Sequence, residues 1–61
     1  MYIVVTNKNP NAKLPKWIEE SNSEVLSTKI IWKFRTAAEA DEAVDVFHDN
    51  GFEYVHRTFS Y

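Results

Sequence analysis

The stretch Thr28-Lys29-Ile30-Ile31-Trp32-Lys33-Phe34-Arg35-Thr36-Ala37-Ala38-Glu39-Ala40, carried on to Tyr61, reads as strand, helix, strand. From Thr28 the side chains alternate, with Ile30, Trp32 and Phe34 on one face and Lys29, Ile31, Lys33 and Arg35 on the other, the two-residue period of a strand. Thr36 then supplies a hydroxyl able to take a free amide, and Glu39 three residues later completes a capping-box pattern. Ala40, Ala43, Val44 and Phe47 fall at i, i+3, i+4 and i+7, an apolar stripe that packs a helix on a sheet. Asn50-Gly51 ends that helix with the sole glycine at the expected left-handed position. Phe52 to Tyr61 reads as a final strand.

Met1 to Thr6 has the β-branched content of another strand, closed by the turn cluster Asn7-Lys8-Asn9-Pro10-Asn11. Leu14 to Ser21 is compatible with one helical turn, Pro15 in its first position, laying Leu14, Trp17 and Ile18 over the core as a lid; Asn22-Ser23 breaks it. A strand, helix, strand run of this length makes a right-handed crossover between parallel strands. The expected architecture is therefore a small α+β domain of β-β-α-β order. It has a three-stranded sheet with the first strand at its centre, as in a split β-α-β unit, and one helix on one face.

The 61 residues allow one domain, and a domain this small stays near the edge of stability. Nine aromatics (four Phe, three Tyr, two Trp) supply the apolar material, and the absence of cysteine excludes disulfides and Cys-based zinc sites. Met1 leads into Tyr2-Ile3-Val4-Val5 without a basic segment or a long apolar run, so neither a signal peptide nor a membrane span is expected and a cytoplasmic setting is the default.

Catalytic patterns are missing. His48 and His56 lie at no spacing with Asp45, Asp49 or Glu53 that favours a metal, no nucleophile elbow is present, and one glycine cannot build a phosphate cradle. The expectation is a non-enzymatic protein without cofactor or metal.

Charge is informative instead. The formal net charge is −2, but Glu39, Asp41, Glu42, Asp45 and Asp49 all lie between Thr36 and Asn50, where there is no Lys or Arg. Everything else carries all seven basic side chains against four acids. Acids near the start of a helix suit its dipole, which accounts for Glu39, Asp41 and Glu42; Asp45 and Asp49 sit toward the negative end with no cation at i+4. Asp41, Glu42, Asp45 and Asp49 are thus candidates for docking on the basic surface of a larger protein. A second candidate surface is the outer sheet face, where Lys29, Lys33 and Arg35 point away from the helix. If Val55 and Phe59 face the helix, Phe52, Tyr54 and His56 join them, the composition of a platform for single-stranded nucleic acid. A third reading is a structural homodimer joined through exposed sheet edges.

Thr36-Ala37-Ala38-Glu39-Ala40 resembles the strand, Thr, two residues, Glu-Ala entry to the helix in the small RNA polymerase inhibitors of T-odd coliphages. Gly51-Phe52-Glu53 resembles the Gly-Phe-Glu that opens that family's last strand. The similarity covers roughly the second half of the chain, which departs from the family in lacking a comparable basic, proline-bearing tail. The resemblance implies a phage or mobile-element accessory protein that disables or redirects a host enzyme by occupying a surface.

Overall fold

A computed structural model describes residues 1–59; Ser60 and Tyr61, the end of the last expected strand, lie outside the described residues. The elements are β1 (Tyr2–Asn7), α1 (Lys16–Glu19), β2 (Asn22–Val25), β3 (Lys29–Phe34), α2 (Ala37–Asp49) and β4 (Val55–Phe59). They form a four-stranded sheet in the order β2-β3-β1-β4. β1 is central, pairing antiparallel with β3 from Tyr2↔Phe34 to Asn7↔Lys29 and with β4 from Tyr2↔Phe59 to Thr6↔Val55. Both neighbours run against β1 and therefore parallel to one another, so α2 is the crossover of a split β-α-β unit.

The expected three strands and one helix are thus four strands and two helices. The added strand, β2, pairs antiparallel with β3, and its hairpin closes where the Leu26 N–H donates to the Lys29 carbonyl at 2.8 Å. All four β2 residues are exposed. The edge is held by backbone ladder bonds rather than by an apolar face, and so left no hydrophobic alternation to read. The second helix, α1, is the single turn allowed over Leu14–Ser21, with Pro15 standing one residue earlier, at the N-cap. It buries Ile18 completely and tilts Trp17 against Phe34 at 6.0 Å between ring centroids. The lid therefore lies on the α2 side of the sheet.

In α2 the Thr36 hydroxyl accepts from the Glu39 amide at 3.1 Å, as the cap pattern requires. The return contact differs from a capping box, because Glu39 Oε1 accepts from the Thr36 hydroxyl at 3.2 Å and not from its backbone. At the other end Gly51 has φ +79°; its N–H donates to the His48 carbonyl and the Phe52 N–H to the Phe47 carbonyl, each at 3.1 Å. These are the paired bonds of a Schellman motif. The motif moves Phe52 into the core, edge-on to Phe47 at 4.9 Å, so β4 starts at Val55 and not at Phe52.

The core gathers Val4, Trp32 and Phe34 from the sheet, Ala40, Ala43 and Phe47 from α2, Ile18 from α1, and Phe52. Alanines at the contact let α2 approach the strands closely while Phe47 fills the space between Trp32 and Phe52. Among the described residues no helix is long and apolar enough to cross a membrane.

Candidate functional site

At 100° per residue, Ala40, Ala43 and Phe47 define the inward side of α2, and Glu42, Asp45 and Asp49 project from the opposite side within about 60° of one another. All three carboxylates are exposed, and none has an ion-pair partner among the described residues. Asp41, offset toward β4, is different. Its Oδ1 lies 3.0 Å from Nη1 of Arg57, whose guanidinium also sits 5.7 Å from the Tyr2 ring centroid. Asp41 thus contributes to fastening the helix on the sheet, and Glu42, Asp45 and Asp49 remain as the free stripe. Arg57 was missed as a partner from sequence; its parity with Val55 and Phe59 was the available signal, and only the Val4↔Arg57 register places it under the helix.

Residues directly opposite in neighbouring strands share a face. Val55, Arg57 and Phe59 accompany Tyr2, Val4 and Thr6 on the α2 side, which leaves Ile3, Val5, Lys29, Ile31, Lys33, His56 and Thr58 on the outer face. Its aliphatic residues Ile3, Val5 and Ile31 are partly exposed. Of the proposed nucleic-acid residues, Lys29, Tyr54 and His56 come together at one end: the Lys29 ammonium lies 4.5 Å from the Tyr54 ring centroid, and His56 stacks on Tyr54 at 6.4 Å. Lys33 is four residues farther along β3, and Arg35 lies past the strand end beside Trp17 and Glu39. Phe52 does not join the platform, because it is buried on the other side. The centre of the outer face is aliphatic, made of Ile3, Val5 and Ile31.

Comparison with family models, curated proteins and solved structures finds no match. Among the described residues no group of three His, Asp or Glu side chains converges as metal ligands. A mostly apolar cleft of about 300 Å³ between the Lys8–Pro10 turn, Leu14, Val25 and Phe52 has Lys8 as its one ionisable lining residue among those described. A single rim ammonium offers no acid and base pair. Two faces have opposite character, the acidic outer side of α2 and the aliphatic, lysine-bearing outer side of the sheet.

Proposed function

We propose that this is a non-enzymatic binding protein that docks on a basic surface of a larger partner through the outer stripe of α2. The observation that carries the reading is the set of three exposed carboxylates, Glu42, Asp45 and Asp49, none of which forms an ion pair among the described residues. Asp45 and Asp49 are spaced i,i+4, and Asp49 occupies the last helical turn. Both placements oppose helix stability by a few tenths of a kcal/mol each. A stripe that works against its own helix gains a role when a basic partner supplies the missing charge. The resemblance of Thr36–Ala40 and Gly51–Glu53 to the coliphage polymerase inhibitors supports a phage or mobile-element accessory factor acting in the host cytoplasm by occupying a surface.

The single-stranded nucleic-acid reading is less well supported. Its one gathered aromatic, Tyr54, has an ammonium over its ring, and the middle of the face offers aliphatic side chains in place of stacking rings.

The test is capture from bacterial lysate, with and without nuclease, using the wild-type protein and Asp45→Lys/Asp49→Lys. The expected result is one host protein retained near stoichiometry in both halves and lost from the variant while its circular dichroism is unchanged. Equal retention by the two proteins would overturn the reading.

A further inference from the structure

The outer sheet face differs from the acidic side of α2 in being aliphatic at its centre. Ile3, Val5 and Ile31 are only partly exposed, yet they are not among the aliphatics packed against the core. They shield one another on the opposite side of the sheet. An antiparallel sheet that leaves one face to water normally carries polar residues there.

The register arranges this face in rungs. The central rung runs Glu24, Ile31, Val5, His56 across β2, β3, β1 and β4. The next runs Asn22, Lys33, Ile3, Thr58, and on the other side Lys29 stands opposite Asn7. Reversed end to end, the central rung matches itself: acid meets imidazole, and aliphatic meets aliphatic.

We propose that two copies of the chain associate face to face over this surface, about a two-fold axis lying parallel to the strands. That axis sets Glu24 of one copy over His56 of the other, so that an imidazole N–H can donate to the carboxylate at each end. Ile31 of one copy meets Val5 of the other, and Lys29 and Lys33 meet Asn7 and Ile3. No like charges are opposed. An axis across the strands instead brings Lys29 over Lys33 and Glu24 over its own copy, which charge repulsion disfavours. Aligned packing of two twisted sheets tolerates the central rung best, since the sheets diverge from the crossing point at about 30°.

Strand spacing and rise make the face about 14 Å by 17 Å, so a dimer over it covers about 240 Å² of each copy, roughly 500 Å² in total. This is below the roughly 1,000 Å² of a stable specific interface, so the association is a weak one, with an expected dissociation constant on the order of 100 μM. The dimer leaves both α2 stripes outward on opposite sides, so one particle presents the acidic surface twice.

Sedimentation equilibrium of the purified protein from about 10 μM to 1 mM tests the proposal over a range spanning that constant. The wild type should show a monomer–dimer equilibrium, and Ile31→Lys should abolish it. Glu24→Lys and His56→Glu, both at exposed positions, should each weaken association about tenfold. The combined Glu24→Lys/His56→Glu variant, which restores opposite charges across the axis, should recover most of the loss. A wild type monomeric at the highest concentration overturns the proposal, as does a dimer indifferent to all of these changes, or a combined variant weaker than either single one. Single-stranded nucleic acid bound by the monomer and lost with Ile31→Lys assigns the face to that ligand and also overturns it. Asp45→Lys/Asp49→Lys should leave the dimer intact, so failure of this inference and failure of the helix reading are distinguishable.

Discussion

The indole Nε1–H of Trp32 donates to the Oγ1 of Thr6 at 2.9 Å inside the protein. Thr6 is fully buried and is the one buried polar residue among those described, while Trp32 is 7% exposed. The hydroxyl on the central strand lets the largest side chain of β3 enter the core without leaving its donor unsatisfied. Thr6→Val keeps the shape and removes the acceptor. It should lower stability by about 1–3 kcal/mol, the cost of an orphaned buried donor. In a Trp32→Phe background, where the donor is already gone, the same change should cost less than about 1 kcal/mol. Urea unfolding of the four proteins checks this, and equal costs in both backgrounds would show that the bond contributes nothing.

The start of α2 depends on one hydroxyl. Thr36 Oγ1 takes the Glu39 amide at 3.1 Å and also contacts the Glu39 carboxylate. Thr36→Ala should cost about 1 kcal/mol, and Thr36→Ser should retain most of the stability because it keeps the acceptor. A melting temperature for Thr36→Ala equal to wild type would mean that packing of Ala40 and Phe47 alone fixes where the helix begins.

Gly51 separates backbone strain from crowding. A Cβ placed there would meet nothing within 4 Å, but φ is +79°. Gly51→Ala should therefore destabilise by about 1 kcal/mol through the backbone alone. Gly51→Asn should cost less, since asparagine enters the left-handed region more readily. Chemical unfolding of both variants, with near-ultraviolet circular dichroism to follow the Phe47–Phe52 contact, measures it. An alanine variant as stable as wild type would show that the turn can abandon its left-handed geometry cheaply.

The part of the fold that could be read from sequence is the part where two signals coincide. Between Thr28 and Gly51 the hydrophobic period changes at a capping residue and ends at a glycine, so the strand, the helix and its inward stripe were all legible. The central place of β1 was expected only by analogy with a split β-α-β unit, since either neighbour could have paired with it; the ladders to β3 and β4 establish it. β2 was hidden because Asn22–Val25 has no buried face; its strand character lies in ladder bonds to β3, which local composition does not record. The end of α2 was visible, yet the path after it was not, since the Schellman turn sends Phe52 inward before β4 begins. The same limit applies to the surfaces. The free carboxylates were recognisable by helical spacing, whereas the Asp41–Arg57 pair and the Glu24-Ile31-Val5-His56 rung depend on register between strands distant in sequence.

The acidic stripe makes a prediction that joins stability to function. Asp49 lies in the last turn of α2, the negative end of the helix dipole, and Asp45 lies one turn before it. Asp45→Asn and Asp49→Asn each remove a like-charge contact, and the second also relieves the dipole. Asp49→Asn should therefore stabilise the protein by a few tenths of a kcal/mol, and Asp45→Asn by a similar or smaller amount. Added salt should shrink both gains, because exposed charges are screened within about 10 Å at 0.1 M ionic strength. Asp41→Asn should behave oppositely, losing up to about 1 kcal/mol with the half-exposed Arg57 pair. Thermal unfolding at low and high salt distinguishes the three. If the two stripe variants gain stability and lose the captured partner, the carboxylates are retained for binding at the helix's expense. If they gain stability and the partner still binds with equal affinity, the stripe is only a solvated face and the docking surface must be sought elsewhere on the molecule.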